Sequence, residues 1–212
     1  MKITERPSLK TLNSFGVEAG AALLIELENE EDLLSLPPFD PGRDLLMGGG
    51  SNVLLAGDVP GSVWLNRITG RHIVDSSSEY AWVDVGAGES WHDLVGWSLD
   101  QGLSGLENLS LIPGLAGAAP IQNIGAYGVE LSSVLDSVTA WDTEKAAWAV
   151  LPADECRLEY RESRFKSEQP GRFLITSIRL RLNRKFQPQL EYAGLGQELQ
   201  NMGVTRPGAH DV

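Results

Sequence analysis

Cysteine is almost absent from this sequence, which has a single one, Cys156, in 212 residues. One cysteine excludes an internal disulfide and a cysteine-based metal cage. The three histidines, His72, His92 and His210, are too scattered along the chain to predict a metal site. We therefore expect no bound metal, with Cys156 packed in the interior and His92 on the surface of a helix.

Long apolar runs are also missing. No stretch approaches the roughly 20 apolar residues that a membrane-spanning helix needs. The opening residues 1–7 lack the apolar segment of a signal peptide. With 42% hydrophobic and 22% charged residues, the composition is that of an ordinary water-soluble protein. We expect a cytoplasmic protein with no membrane partner.

Basic residues are few, since 17 lysines and arginines stand against 29 acidic residues, for a net charge of −12. Proteins that bind nucleic acid rely on clustered Lys and Arg to neutralise phosphates. The only basic concentration lies between Arg157 and Lys185, and Glu159, Glu162 and Glu168 interrupt it. We expect no nucleic-acid partner. An anionic small ligand would need local backbone donors or a well-placed arginine.

Apolar patterning predicts more strands than helices. Strands are expected at residues 21–27, 44–47, 62–66, 81–85, 134–141, 147–151 and 173–182. A short helix is expected at 30–36, and a longer one from Trp91 to about Gln101, capped by Ser90 and ended by Gly102. Residues 206–212 resemble the opening of another helix. The pattern predicts an α+β protein of two small subdomains, the second starting near Gly70.

The loop Gly48-Gly49-Gly50-Ser51-Asn52 follows the second predicted strand. Successive N–H groups in a glycine-rich turn form a site for an anion, and Ser51 and Asn52 add side-chain donors. No Gly-Lys-Ser/Thr follows and no long helix begins there, which excludes a Walker A loop and a dinucleotide fingerprint of the Rossmann type. The alternative is a tight turn between strands.

A second glycine-rich stretch, GLENLSLIPGLAGAAPIQNIGAYG, runs from Gly105 to Gly128. Its small residues leave space for a flat or elongated ligand along the backbone, and Gln122 and Asn123 could bond a ring edge. The alternative is a glycine-rich surface loop, but the many apolar residues of the stretch favour a wrapped cofactor. Two such loops, neither opening a long helix, point to an elongated diphosphate cofactor such as FAD.

Four motifs in this order carry a resemblance to a known family. They are GGGSNVLL at 48–55, VGAGE with Trp91 and His92 after it, GLENLSLIPG with PIQNIGAYGVEL after it at 105–131, and ECR with YRES and FK after it at 155–166. Together they resemble the UDP-N-acetylenolpyruvoylglucosamine reductases over nearly the whole chain, from about residue 12 to about residue 195.

The resemblance implies a fold of the vanillyl-alcohol-oxidase (PCMH) type, with FAD lying between two α+β subdomains. It implies a first FAD-binding subdomain at 1–68, a second at 69–200, and at 201–212 the start of a third, substrate-binding domain that is largely absent. The cofactor-binding residues that it implies are Gly48, Gly50, Ser51, Asn52, Val53, Gly114, Gly117, Ala118, Ala119, Pro120, Asn123, Ile124 and Gly128.

The family's reaction is implied as well. NADPH reduces FAD, and the flavin then reduces UDP-N-acetylglucosamine enolpyruvate to UDP-N-acetylmuramate for peptidoglycan synthesis. Arg161, in the YRES motif, matches the family's active-site arginine and is the expected catalytic residue, acting on the substrate carboxylate as charge develops there. Tyr160 and Tyr192 are expected to contact the substrate together with Arg161, and the protein is expected to be a monomer.

The family's proton-donating serine lies in a Gly-Ser-Phe-Phe-Lys-type segment that this sequence does not contain. We therefore expect the chain to be an incomplete, inactive fragment that holds FAD weakly and cannot complete the reduction at a useful rate. Two alternatives stay open. The chain could be a non-catalytic remnant that binds FAD or a UDP-sugar, or another PCMH-type flavoprotein oxidase.

Overall fold

A computed structural model describes all 212 residues. It contains eleven strands, β1 Lys2–Glu5, β2 Ala21–Leu27, β3 Leu45–Met47, β4 Val59–Asn66, β5 Arg71–Ser76, β6 Tyr80–Gly86, β7 Gly125–Ala126, β8 Val129–Glu130, β9 Leu135–Asp142, β10 Ala147–Pro152 and β11 Phe173–Asn183. The two α-helices are α1 Trp91–Asp100 and α2 Leu195–Asn201. Short helical turns, of which Glu30–Ser35 and Ala116–Gln122 are the longest, join the other elements. The α+β class predicted from the sequence is confirmed.

The strands form two main sheets. The first sheet has the order β1-β2-β4-β3, with β1 antiparallel to β2 and the other pairs parallel. Its central strand β4 is buried along Gly61–Asn66, as expected for a parallel strand covered on both faces. The second sheet has the order β10-β9-β11-β6-β5 and is antiparallel throughout, while β7 and β8 form a small separate hairpin.

Most elements lie where the sequence predicted them. Helix α1 begins after Ser90, whose Oγ accepts a hydrogen bond from Asp93 N, and Gly102 follows it at φ +69°. No helix follows the loop at 48–52, also as predicted. Strands β1, β5, β7 and β8 and helix α2 were not predicted. The expected helix opening at 206–212 is limited to one helical turn at Ala209–Asp211.

The largest core lies on one face of the second sheet. Trp91, Leu94 and Val95 of α1 are fully buried against the inward residues of β6, β9 and β11. Cys156 belongs to the same core and is fully buried, as predicted. Neither α-helix has the length and apolar character that crossing a bilayer requires.

A separate apolar cluster joins the two sheets. It contains Ile25, Leu27, Leu33 and Trp64 from the first sheet and its short helix, with Trp141 and Leu174 from the second sheet. Two polar contacts cross the same junction. Asn66 Nδ2 donates to Ile175 O at 2.6 Å, and Thr176 Oγ1 donates to Glu30 Oε1 at 2.8 Å. The two sheets are therefore held together by a shared core as well as by the chain.

Candidate active site

Three loops that belong to the two sheets contact one another. The first glycine loop, Gly48–Asn52, follows β3 of the first sheet. The β6–α1 turn, Gly86–Ser90, belongs to the second sheet. The second glycine loop, Gly114–Gln122, packs against that turn. Both glycine-rich segments singled out in the sequence therefore lie at one place.

The first glycine loop presents unbonded backbone donors. The carbonyls of Gly50 and Ser51 accept hydrogen bonds from Ser14, at 3.1 Å from its N–H and 3.2 Å from its Oγ respectively. None of the N–H groups from Gly48 to Asn52 donates a hydrogen bond within the chain. Gly50 has φ +65°, and a Cβ there would overlap the carbonyl oxygen of Leu12. Two carbonyls of the loop are therefore bonded to Ser14, while the N–H groups of the loop remain free to bind an anion.

The second glycine loop is tied to the β6–α1 turn by main-chain hydrogen bonds. Trp91 N donates to Gly114 O at 3.0 Å, Ala116 N to Glu89 O at 2.8 Å, and Gly117 N to Ala87 O at 2.9 Å. A Cβ on Gly117 would overlap that of Ala87. Glycine at 117 is therefore required by close packing of the loop on the turn.

The two glycine loops also touch each other. Asn52 Nδ2 donates to Gln122 Oε1 at 2.9 Å. Leu115 lies against both Gly48 and Gly49, and a Cβ on Gly114 would lie 3.0 Å from Ser51 Oγ. Gly48, Gly50, Ser51, Asn52, Gly114 and Gly117 of the predicted cofactor set are brought together in this way.

The remaining predicted cofactor residues are placed less uniformly. Ala119, Pro120, Asn123 and Ile124 are buried, whereas Ala118 and Gly128 are more accessible and Val53 is half-buried. Because the side chain of Asn123 is fully bonded inside the protein, it does not face a ligand as the sequence suggested, and only its backbone could do so. Their role in cofactor binding remains a prediction.

Arg161 lies in a tight turn in which Glu159 and Glu162 exchange two main-chain hydrogen bonds of 3.1 Å. Its φ is +55°, an unfavourable conformation for a residue with a side chain. Arg161 Nη2 donates to Gly125 O at 2.8 Å, and Lys166 Nζ donates to Arg161 O at 2.6 Å. No carboxylate forms a salt bridge with Arg161, so its other guanidinium donors remain available.

Both predicted substrate tyrosines are accessible. Tyr160, beside Arg161 at the tip of the turn, is 80% exposed. Tyr192 makes an edge-on contact with Tyr127, with ring centroids 5.4 Å apart. Since Arg161 reaches Gly125 and Tyr192 reaches Tyr127, both border the β7–β8 hairpin. The structure therefore brings Arg161 and Tyr192 to one hairpin next to the second glycine loop.

Sequence reasoning missed three residues at this site. Ser14 supports the first glycine loop, Tyr127 contacts Tyr192, and buried Ser163 donates from Oγ to Ile121 O at 2.6 Å. The exposed Tyr127, between small residues in GAYG, carried a signal because an aromatic residue in such a loop has little packing role. No local pattern marks the long-range contacts of Ser14 and Ser163.

Comparison with known proteins agrees with this geometry. Residues 43–145 match a family described as an FAD binding domain, and the match includes both glycine loops. A structure of UDP-N-acetylenolpyruvylglucosamine reductase from Thermus caldophilus superposes with a TM-score of 0.71 at 28% identity, covering 98% of this chain and 71% of that one. A solvent-stable cholesterol oxidase shares the fold, with a TM-score of 0.54 at 17% identity over 78% of this chain and 36% of the oxidase.

Curated relatives are more similar in sequence. The UDP-N-acetylenolpyruvoylglucosamine reductase of Dechloromonas aromatica is 43% identical over 196 residues, which are 91% of this chain and 58% of the relative. That of Pseudomonas aeruginosa is 44% identical over 215 residues, or 100% of this chain and 63% of the relative. The chain thus spans about three-fifths of the length of these relatives. By fold, glycine loops and sequence, the chain is similar over its whole length to the UDP-N-acetylenolpyruvoylglucosamine reductases.

Proposed function

We propose that this chain is the FAD-holding part of an enzyme that uses NADPH to reduce UDP-N-acetylglucosamine enolpyruvate to UDP-N-acetylmuramate in peptidoglycan precursor synthesis. One observation carries the proposal. The row of unbonded N–H groups at 48–52 and the carboxylate-free Arg161 are linked through the second glycine loop. One site can then hold an elongated diphosphate cofactor next to an arginine suited to an acidic substrate.

The residues at the first glycine loop fit the diphosphate of FAD. The loop carries no acidic side chain, its donors are unbonded, and the oxygen of Gly50 that would repel an anion is turned towards Ser14. A diphosphate can therefore be bound despite the net charge of −12. Gly48, Gly50, Ser51 and Asn52 would hold the diphosphate, and Gly114, Gly117 and Ala118 would lie along the rest of the cofactor.

Arg161 would act on the enolpyruvyl carboxylate. FAD, when bound, supplies the hydride that NADPH provides. As hydride adds to the methylene carbon, negative charge builds on the adjacent carbon and its carboxylate. A guanidinium that is already held by one hydrogen bond and has no acidic partner can pair with that carboxylate and stabilise the charge as it grows. Tyr160 and Tyr192 would contact the rest of the substrate.

Neither serine that could be considered as an acid at this site is suited to the role. Ser163 Oγ is buried and donates to Ile121 O, and Ser51 lies in the first glycine loop. We propose that the 212-residue chain by itself accepts reducing equivalents faster than it passes them to the substrate. The boundary between 1–68 and 69–200 is supported by the strands of the first sheet, which end at Asn66, and those of the second, which start at Arg71. The boundary between 69–200 and 201–212 falls within α2 and stays a prediction. The cytoplasmic location and monomeric state stay predictions.

The first test is the visible spectrum of the purified chain with added FAD, followed anaerobically by NADPH and then by the enolpyruvyl substrate. We expect a bound-flavin spectrum that bleaches with NADPH and recovers slowly with substrate. Arg161→Ala should leave the bleaching largely intact and abolish the recovery. Equal loss of both steps in that variant would contradict the role of Arg161, and rapid oxygen consumption with other substrates would favour an oxidase instead.

A further inference from the structure

Asn123 comes directly after the second glycine loop and has an unusual backbone conformation. It follows the helical turn Ala116–Gln122, has φ +43° and ψ +67°, and is 1% exposed. This left-handed conformation is unfavourable for most side chains and is best tolerated by glycine, asparagine and aspartate. The backbone at 123 would therefore accept glycine equally well. The choice of asparagine must rest on what the side chain does.

The side chain of Asn123 connects three separate segments. Its Nδ2 donates to Glu130 Oε2 at 2.8 Å and to Glu159 O at 3.1 Å, and its Oδ1 accepts from Ser132 N at 3.0 Å. Both amide hydrogens are thus used, and the assignment of the amide is fixed because an N–H lies on one side and a carboxylate and a carbonyl on the other. Buried and fully bonded, the amide is held in one position.

The segments that Asn123 connects are those that set the position of Arg161. Glu159 begins the turn that carries Arg161, and Glu130 lies opposite Gly125 in the β7–β8 hairpin. Gly125 O is in turn the acceptor for Arg161 Nη2. Asn123 therefore fixes both the base of the arginine's turn and the hairpin to which its guanidinium is bonded.

We propose that Asn123 is a positioning residue for Arg161, which holds the arginine's turn at a fixed place relative to the second glycine loop through the carbonyl of Glu159. The proposal rests on the proposed function for the role of Arg161. The guanidinium must meet a carboxylate whose position is set by the substrate lying beside the cofactor. If the turn were free to move, the guanidinium would no longer lie opposite the substrate carboxylate, even though Arg161 itself is intact.

A paired substitution separates this role from simple stabilisation. In Asn123→Asp with Glu130→Gln, the amide introduced at position 130 can donate to the carboxylate introduced at position 123, and Oδ1 can still accept from Ser132 N. The two segments stay joined with the donor and acceptor reversed. The donor to Glu159 O is lost, and a carboxylate oxygen then faces that carbonyl. The weak contact of Ser132 Oγ with Glu130 Oε2, at 3.5 Å, is lost as well. Glu130→Gln alone is the matched control, since its amide oxygen can still accept from Asn123 Nδ2.

Two measurements report on the turn in the FAD-loaded chain. Hydrogen exchange of the Glu159 and Glu162 amides follows the turn without any substrate. The affinities for the enolpyruvyl substrate and for UDP-N-acetylglucosamine, measured from the change in flavin absorbance, isolate the carboxylate contact because only the first ligand has that carboxylate. Arg161→Ala is added to Glu130→Gln and to the paired variant. The change in the ratio of the two ligand affinities then shows how much of that ratio depends on the arginine.

We expect the paired variant to melt earlier than Glu130→Gln, because a buried carboxylate replaces the amide that donated to the carbonyl of Glu159. The two amides should exchange at least about tenfold faster, and the affinity ratio should fall about tenfold, to the level of Arg161→Ala. Adding Arg161→Ala to the paired variant should then cost nothing further, since coupled residues are not additive.

Three results would overturn the proposal. Unchanged amide exchange in the paired variant would mean that Asn123 does not hold the turn, and the proposed function would still stand if Arg161→Ala lowered the affinity ratio in the control. Equal weakening of the two ligands would make Asn123 a structural residue only. An affinity ratio that Arg161→Ala leaves unchanged in the control would remove the proposed function and this inference together.

Discussion

Glycine at position 50 is required by its backbone angle and by its surroundings. Its φ is +65°, and an added Cβ would overlap the main-chain oxygen of Leu12, which cannot move as a flexible side chain would. Gly57, in the segment that follows, has no atom within 4 Å of such a Cβ and no positive φ. The two glycines therefore have different reasons to be present.

Gly50→Ala should destabilise the protein by about 1–3 kcal/mol and lower FAD affinity at least about tenfold, because the first glycine loop must shift. Gly57→Ala should change neither by a measurable amount. Thermal melting and a flavin-binding titration of both variants check this. Equal FAD affinity for the two variants would show that the loop geometry does not set cofactor binding.

Cys156 gives a prediction for alkaline pH. Burial raises the pKa of its thiol from the usual value of 9.0 to about 12. Between these values the folded state keeps the proton that the unfolded state has lost, so stability falls as pH rises, by about 1.4 kcal/mol per pH unit for this group. Relative to Cys156→Ala, the wild-type chain should lose stability from about pH 9 upward in urea unfolding. Parallel curves for the two proteins would show that the thiol titrates normally.

For single residues, the sequence predicted which residue types form the site, but not which of their atoms make the contacts. The glycine loops were recognisable because runs of glycine have few other purposes. The contacts of Asn123 could not be predicted, since its partner Glu159 lies 36 residues away and its left-handed backbone leaves no pattern in the sequence.

Among the elements, those with clear apolar patterning were predicted and those without it were not. Strand β6 alternates between buried and half-buried residues over most of its length, whereas all of β5 after Arg71 is exposed at the sheet edge. Helix α2 starts after Gly194 at φ +95°, contains Gly196 and buries only Leu199. With a glycine before it, another within it and a single buried residue, α2 has neither the high helix propensity nor the apolar stripe from which a helix is predicted.

The short helix Glu30–Ser35 provides a matched test of the junction between the sheets. Leu33 is 2% exposed in the cluster shared with Trp64 and Trp141, while its neighbour Leu34 is 67% exposed. Leu33→Ala should cost about 2–4 kcal/mol of unfolding free energy, because it leaves a cavity. Leu34→Ala should cost less than about 0.5 kcal/mol. Urea unfolding of both variants checks this, and similar losses would mean that the short helix is not seated at the junction.

For the whole molecule, the sequence predicted two α+β subdomains and two glycine-rich segments that bind one elongated cofactor. The order of strands within each sheet and the apolar cluster between the sheets were not predictable from local patterns. They depend on pairs such as Asn66 with Ile175, which are 109 residues apart in the chain.

The placement of the two glycine loops on different sheets has a thermodynamic consequence. FAD bound across both loops, as proposed, would bind only the state in which the two sheets are docked, and its binding would then stabilise the docked arrangement by mass action. With free FAD at about 100 times its dissociation constant, the folded state gains about 2.7 kcal/mol. The apparent melting temperature is then a function of cofactor concentration, and the cell's flavin supply contributes to the lifetime of the folded chain.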